Sequence, residues 1–286
     1  MQAVDFVILV EDFRRLLPHH HPGGAVLRRK WAGAGNGIPG PTDTWITLAG
    51  LARETSTIRL GSLMTSATFR HPSVLAVTVA QVDQMSGGRV ELGLGAGWWE
   101  REHAATGIEL PDMHERFDRL AQQLEILDGL WNAPVGETYS FVGDAYRLDR
   151  APGLPKPLQD RVPIIIGGDG TTRTPELAAR WAQEFNSGWE NPSLRRSTVQ
   201  TLCAGDAVAD RERRAVRIGV PFSDLEGLIG DESDIRRRVV DFETAGVDRL
   251  YVEILDLADL DHLDYFASAV GLTGAGRDDV QPVTTE

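Results

Sequence analysis

The stretch that decides the fold runs from Thr65 to Trp98 and contains T-S-A-T-F-R-H-P, followed later by S-G-G-R-V-E-L-G-L-G-A-G-W. It predicts the end of one strand, then a helix, then a second strand in which glycines recur at every other position. Successive side chains alternate across a strand, so Gly93, Gly95 and Gly97 share one face, and apolar residues cover the other. A strand face without side chains indicates close approach by a ligand or by another backbone. A tightly packed barrel interior explains the same row, and the residues alone leave both interpretations open.

Apolar strands alternate with amphipathic helices along the rest of the chain. The helices have clear start and stop signals, as in Ser73–Met85, which Pro72 and Gly87 frame. Such alternation with short turns predicts a parallel sheet. The predicted fold class is α/β, a (β/α)8 TIM barrel, which is compatible with a length of 286 residues. Strands are predicted at Phe6–Val10, Ile58–Met64, Val90–Leu94, Pro163–Ile166 and Leu250–Leu255, with weaker candidates at Glu184–Trp189 and Val216–Pro221.

A single barrel domain is predicted over residues 1–270, because no shift in composition marks a boundary, and a polar tail is predicted at 271–286. Two segments interrupt the alternation. The stretch near 14–41 is rich in Gly and Pro and is interpreted as a lid-like loop, since structureless loops of that length are usually functional or disordered. The stretch near 132–160 contains T-Y-S-F-V-G-D-A-Y-R-L and predicts a hairpin inserted between barrel units.

Composition argues against several classes of protein. A formal net charge of −13 argues against binding to nucleic acid or to an anionic membrane, because both require a basic face. The sequence has no apolar run of transmembrane length and no signal-peptide pattern at its start, so a cytoplasmic protein is expected. The single cysteine, Cys203, fits a reducing compartment; it lies in a stretch that looks helical and is interpreted as an inert small hydrophobe.

A glycine-rich turn follows the predicted strand Pro163–Ile166 in the run I-I-I-G-G-D-G-T-T-R-T-P. Glycines let backbone N–H groups converge on an anion, and a helix that begins near Thr174 adds its positive end. Thr171, Thr172 and Arg173 add hydroxyl and cationic groups. The run lacks the G-K-[ST] of an ATP-binding loop. Phosphate binding is favoured over a merely tight turn, because barrels often hold phosphate at late strand-to-helix loops.

A second candidate site follows the glycine strand in the run G-A-G-W-W-E-R-E-H. Trp98 and Trp99 can wall a planar ligand, and Glu102 and His103 can exchange protons. The alternative is that the tryptophans belong to the core and the polar residues to a solvated helical turn. Asp12 follows the first predicted strand, where a barrel carries catalytic residues. No metal site is predicted, because three adjacent histidines at 19–21 in a Gly/Pro loop are not a preorganised ligand set.

Four ordered motifs together resemble the luciferase-like monooxygenase superfamily, and within it the branch that uses the deazaflavin coenzyme F420. They are T-S-A-T-F-R-H-P-S-V-L-A, D-Q-M-S-G-G-R-V-E-L-G-L-G-A-G-W, H-E-R-F-D-R-L and I-I-I-G-G-D-G. The resemblance implies a TIM barrel with the (deaza)flavin in its carboxyl-terminal mouth. It also implies cofactor-binding roles: Thr65 and Ser66 at a bulge, often with a cis peptide, behind the central ring; Gly97 and Trp98 near the ring; and Gly167, Gly168, Gly170 and Thr171 on the phosphate.

The chain departs from the family pattern at three places. Asp12 stands where the family usually has the histidine of D-H-F, which can act as an acid or base. Trp98 stands where the sugar-phosphate dehydrogenase members carry a glutamate, so that activity is not expected. If Phe6–Val10 corresponds to the second strand of the barrel, the first strand and helix are lacking, and the sheet has two exposed edges.

The sequence therefore predicts an oxidoreductase that transfers hydride between coenzyme F420 and a small organic substrate. Asp12 and His103 are the candidates for moving the accompanying proton. One alternative is an FMN-dependent monooxygenase on the same fold, and another is a truncated homologue without catalysis. The resemblance also suggests a homodimer.

Overall fold

The structure is a computed structural model that describes residues 6–9, 43–186, 194–218, 222–254 and 259–271. The strands are β1 (Phe6–Leu9), β2 (Arg59–Ser66), β3 (Val90–Gly95), β4 (Tyr139–Val142), β5 (Arg147–Ala151), β6 (Ile164–Gly167), β7 (Glu184–Asn186), β8 (Arg195–Ala204), β9 (Leu228–Gly230) and β10 (Arg249–Glu253). The helices are α1 (Thr44–Glu54), α2 (Pro72–Ser86), α3 (Glu100–Thr106), α4 (Met113–Asn132), α5 (Arg173–Trp181), α6 (Val208–Ile218), α7 (Glu232–Thr244) and α8 (Leu260–Ala269).

The main sheet is curved and encloses a separate cluster of buried side chains. Its strand order is β1-β2-β3-β6-β7-β8-β10, and β9 pairs with the end of β8. From β2 onward every neighbouring pair in this sheet is parallel. Leu63 of β2, Ile165 of β6 and Tyr251 of β10 pack in one cluster, although these strands are not neighbours in the sheet. A flat sheet would keep them apart, so the strands curve as in a (β/α) barrel.

Three details differ from the sequence predictions. β1 runs antiparallel to β2, with Phe6 opposite Ser62, because either direction satisfies the backbone groups along the edge of β2. The stretch around Cys203 is not helical but forms the end of β8, where pairing with β9 and burial override its polar composition. Val216 lies in helix α6 rather than in a strand, because the apolar run there continues a helix that starts at Val208.

Two residues of the D-Q-M-S-G-G-R motif, Asp83 and Arg89, connect the segments that pack around the sheet. The buried guanidinium of Arg89 donates to the carbonyl oxygens of Ala52 (3.0 Å) and Thr55 (2.7 Å), at the carboxyl end of α1. A cation there is favourable because the last carbonyls of a helix carry partial negative charge. The carboxylate of Asp83 accepts from the backbone N–H groups of Leu158 (2.8 Å) and Gln159 (2.9 Å) and so fixes the return from the β4–β5 hairpin.

The amino end of the barrel interior holds a buried ionic cluster of Glu91, Glu184, Arg249 and Tyr251. Nη1 of Arg249 lies 2.6 Å from Oε2 of Glu91 and 3.0 Å from Oε2 of Glu184, and the hydroxyl of Tyr251 donates to Glu184. Burial raises the pKa of Glu184, and Arg249 only partly offsets this. Burial also acts to raise the pKa of Glu91, but the charges and hydrogen bonds of Arg249 and Arg59 outweigh it, so that pKa is lowered. One guanidinium thus lies between two interior carboxyl groups, and Arg59 pairs with Glu91 as a second cation.

Candidate functional site

The carboxyl ends of β2, β3 and β6 lie side by side at one edge of the sheet, because these strands are parallel neighbours. Ser66 pairs with Gly95, and Leu94 pairs with Ile166. The segments that continue from these ends contain most of the residues predicted from the sequence to bind the cofactor. The fold therefore brings the segments after β2 and β6 together, although they are about a hundred positions apart in the chain.

The end of β2 carries a bulge, at a position slightly different from the one expected. The pairing with β3 shifts between Ser62 and Thr65, and the cis peptide bond joins Leu63 to Met64, not Thr65 to Ser66. Thr65 is fully buried, and its hydroxyl accepts from Nε1 of Trp45 (3.2 Å) and donates to Oγ of Ser62 (2.9 Å). Its side chain therefore faces helix α1, and only its backbone lies on the site. Ser66, the next residue, points to the opposite side.

The space available for a side chain differs among the glycines of β3 and β6. A Cβ on Gly93 would lie 2.0 Å from the carbonyl oxygen of Ser62, so Gly93 is required by the close approach of β2. A Cβ on Gly95 would meet nothing closer than Sδ of Met64 at 3.7 Å, which is an ordinary contact. At Gly167 a Cβ would overlap Cε of Met64 at 1.9 Å. The packing interpretation therefore applies to Gly93, whereas Gly95 has room for a Cβ and is partly exposed at the carboxyl end of β3.

Gly97 and Trp98 form the rim after β3. Gly97 has a φ of +84°, and a Cβ there would lie 2.3 Å from Oγ of Ser66 and 3.2 Å from Oγ1 of Thr68. Trp98 is 78% exposed, and its ring stacks against that of Trp99 at a centroid distance of 6.2 Å and an interplanar angle of 27°. The tryptophans therefore do not belong to the core, and Trp98 offers an aromatic surface at the edge of the site.

His103 is buried on helix α3, and both of its ring nitrogens are hydrogen-bonded within the chain. Nδ1 lies 2.8 Å from the carbonyl oxygen of Trp99, and Nε2 lies 2.7 Å from Oγ1 of Thr68. The ring of Phe69 packs edge-on against it. The geometry therefore does not favour direct contact between the imidazole of His103 and a ligand. Asp12, the other acid–base candidate, lies outside the described residues.

The glycine turn after β6 has the features of an anion site. Gly168 has a φ of +136°, and Gly168, Gly170 and Thr171 are exposed. Helix α5 begins at Arg173, and its cap residue Thr172 makes no side-chain hydrogen bond to the first turn. Amide N–H groups at such a helix start remain available to an anion. Arg173 is committed elsewhere: its guanidinium pairs with Asp118, and another of its nitrogens donates to the carbonyl oxygen of His114.

The start of helix α4, the H-E-R-F-D motif, contacts both loops at once. Arg116 donates to the carbonyl oxygen of Gly97, and Asp118 accepts from Arg173. The ring of Phe117 lies under the guanidinium of Arg173 at 5.2 Å. In the sequence this motif stands out only as part of the family resemblance. The signal that would have revealed its role is the alternation of charged and aromatic residues in the first turn of an amphipathic helix.

A model of the family described as luciferase-like monooxygenase matches residues 27–225. The chain belongs to this family. Among curated proteins, the F420-dependent glucose-6-phosphate dehydrogenase of Nakamurella multipartita is 33% identical over 187 residues, which are 64% of this chain and 49% of that protein. The FMNH2-dependent dimethylsulfone monooxygenase of Pseudomonas putida is 27% identical over 204 residues, 71% of this chain and 51% of that protein. The chain thus spans about half the length of these curated relatives.

A solved structure of an F420-dependent secondary alcohol dehydrogenase, in complex with an F420–acetone adduct, superposes with a TM-score of 0.70. The identity is 19%, and the match covers 86% of this chain and 89% of that one. This similarity shows the fold and confirms the predicted TIM-barrel class, whereas the match to the family model confirms the predicted family. Within the described ranges, no helix is long and apolar enough to cross a membrane, and no three His, Cys, Asp or Glu residues are grouped to hold a metal ion.

Proposed function

We propose that this chain acts as a deazaflavin-dependent oxidoreductase, which transfers hydride between coenzyme F420 and a small organic substrate. The observation that carries the proposal is the convergence, at one edge of the sheet, of the partly exposed Gly95, the exposed Trp98 and the exposed glycine turn at Gly168–Thr171 before the start of α5. These three elements together suit a ring system that carries a phosphate, because an aromatic side chain stacks on a ring and a helix start favours an anion. The names of relatives such as the dehydrogenase of Nakamurella multipartita support F420 as the cofactor.

The described residues fit such a cofactor in a definite arrangement. The turn at Gly168–Thr171 and the start of α5 would hold the phosphate, since backbone amides and a helix start favour an anion. Gly95 and Gly97 would let the ring approach the backbone of β3, and Trp98 would cover one side of it. When bound, the deazaflavin supplies the hydride chemistry, and the protein orients it and excludes water. Because Trp98 replaces the glutamate of the sugar-phosphate branch, the proposed substrate is a small organic molecule without a sugar phosphate.

The proposal includes a cytoplasmic location and a homodimer. The single cysteine is compatible with a reducing compartment. Exposed Ile46 on α1 and exposed Val74 and Val77 on α2 offer apolar surface for a second copy. Analytical ultracentrifugation of the purified protein tests the dimer directly.

The proposed cofactor is tested by titrating the purified protein with F420 and separately with FMN, with calorimetry as the readout. We expect saturable binding of F420, and we expect Trp98→Leu to weaken it about 10-fold, as the loss of one aromatic contact implies. Trp181→Leu is the matched control, because Trp181 ends helix α5 at the opposite edge of the sheet and lies against Arg180. Binding of FMN alone would move the assignment to the monooxygenase. Binding of neither would contradict both enzyme assignments.

A further inference from the structure

Three side chains form a continuous line of hydrogen bonds from the edge of the proposed site into the protein. Oγ of Ser66, at the end of β2, lies 2.7 Å from Oγ1 of Thr68. Oγ1 of Thr68 lies 2.7 Å from Nε2 of His103. Nδ1 of His103 lies 2.8 Å from the carbonyl oxygen of Trp99, where the line ends. None of these three contacts has a part in the cofactor arrangement proposed for this site.

The direction of each hydrogen bond follows from the end of the line at Trp99. A carbonyl oxygen only accepts, so Nδ1 of His103 carries a proton. In the neutral ring Nε2 is then an acceptor, and the hydroxyl of Thr68 donates to it. The oxygen of Thr68 in turn accepts from the hydroxyl of Ser66. Oγ of Ser66 therefore presents acceptor lone pairs, one of which faces the backbone N–H of Thr68 at 3.4 Å.

The outer end of this line lies at the proposed ring site. Thr65 faces helix α1, so Ser66 faces the mouth of the barrel, where it pairs with Gly95. Gly97 lies against the two hydroxyls, because a Cβ there would be 2.3 Å from Oγ of Ser66 and 3.2 Å from Oγ1 of Thr68. The inner end is shielded from water, since His103 is 2% exposed. A proton that enters at Ser66 can therefore reach a buried imidazole without a chain of waters.

We propose that Ser66, Thr68 and His103 form a proton relay that serves the ligand bound at the carboxyl ends of β2 and β3. The ligand end of the relay rests on the proposed function. A proton passes from the ligand to Oγ of Ser66, the proton of Ser66 passes to Oγ1 of Thr68, and the proton of Thr68 passes to Nε2 of His103. Three bonds to hydrogen form, three break, and no electrons change hands. The return transfers run in the opposite order.

The surroundings of His103 satisfy both ends of this transfer. As imidazolium, the ring donates from Nδ1 to the carbonyl oxygen of Trp99 and from Nε2 to the oxygen of Thr68, so neither N–H loses its partner. Only Ser66 would touch the ligand. Thr68 and His103 act through it as positioning residues, which replaces the direct acid–base role that the sequence suggested for His103.

The matched variants for the test are Thr68→Val, which keeps the shape of the side chain and removes the hydroxyl, and Thr68→Ser, which keeps the hydroxyl. The first readout is ¹⁵N NMR of the histidine rings in the protein without cofactor. We expect His103 of the wild type and of Thr68→Ser to carry the proton on Nδ1 with Nε2 hydrogen-bonded. In Thr68→Val the Nε2 signal should move to the position of an acceptor without a donor. Unchanged His103 signals in Thr68→Val would overturn the relay itself.

The second readout is the rate at which menadione, a quinone, oxidises reduced F420 bound to the protein, because this reagent takes up the hydride and leaves the proton of reduced F420 for the relay to accept. We expect Thr68→Val to slow this oxidation about 100-fold and to lose the solvent deuterium isotope effect, as removal of general acid–base assistance implies. Thr68→Ser should retain both, and the Kd for F420 should stay within about 3-fold in all three proteins. Equal rates in Thr68→Val and wild type, with equal Kd, would overturn the relay. Failure of the wild type to bind F420 overturns the proposed function instead, and the NMR result then decides separately whether the line of hydrogen bonds exists.

Discussion

Replacement of Arg249 by methionine is expected to lower the free energy of unfolding by about 3–5 kcal/mol. The guanidinium lies between Oε2 of Glu91 at 2.6 Å and Oε2 of Glu184 at 3.0 Å, and all three side chains are at most 5% exposed. Methionine fills similar volume but leaves two carboxyl groups inside the barrel without their shared cation. Urea denaturation followed by circular dichroism measures the effect.

The matched control is Arg195→Met, which removes a guanidinium from the same cluster at its solvent side. Nη1 of Arg195 is 3.8 Å from Oε2 of Glu184, and its side chain is 38% exposed. A guanidinium that is exposed and that far from the carboxylate contributes little, so the expected change is within about 1 kcal/mol. Equal losses in the two variants would contradict the central role given to Arg249.

The deficit of Arg249→Met should shrink as the pH falls from neutral into the acidic range. Burial already raises the pKa of Glu184 in the wild type, and removal of Arg249 takes away the larger of the two influences that lower the pKa of Glu91, the other being Arg59. A carboxyl group whose folded pKa lies above its unfolded value destabilises the fold once it ionises, and protonation removes that penalty. Denaturation of variant and wild type at several pH values checks the sign. A deficit that stays constant toward acid would mean that lost packing, not uncompensated charge, is responsible.

The sequence allowed the barrel to be predicted because most of its parallel strands are largely apolar and several of its helices have clear caps. It did not reveal the ionic cluster. Alternation along β10 puts Arg249 and Tyr251 on one face, but Glu91, the partner of Arg249, lies 158 positions earlier, and nothing local pairs them. β8 was misread for a related reason: its polar middle residues gain their strand conformation from neighbours on both sides, not from their own pattern.

The candidate site was predictable where a residue type is informative by itself. The glycines of the turn after β6 stood out because of their backbone freedom, and the two tryptophans stood out because of their large aromatic side chains. His103 also stood out as a chemical group, but its actual partner, Thr68, lies 35 positions away and gives no sign of the contact. The same holds for Arg116 and Gly97. Side chains that hold loops in place depend on the packing of helices, which the local sequence does not encode.

Substitution of Gly93 and Gly95 by alanine should separate the two explanations for the row of glycines in β3. Gly93→Ala is expected to destabilise the fold by about 4 kcal/mol or more, because the new Cβ would lie 2.0 Å from the carbonyl oxygen of Ser62, and backbone cannot yield. Gly95→Ala should change stability by less than about 1 kcal/mol, since its closest neighbour would be Sδ of Met64 at 3.7 Å. Urea denaturation gives both values.

Binding should show the opposite order. Gly95→Ala adds a methyl group at the mouth of the barrel and should weaken binding of F420 about 10-fold or more, although the protein folds normally. Gly50→Ala is the control for the substitution itself: Gly50 lies in helix α1 with open space around it, and alanine there should raise stability by about 0.5–1 kcal/mol without affecting binding. If Gly95→Ala binds F420 as well as the wild type does, Gly95 does not face the ring, and the site must lie further out along the rim at Gly97 and Trp98.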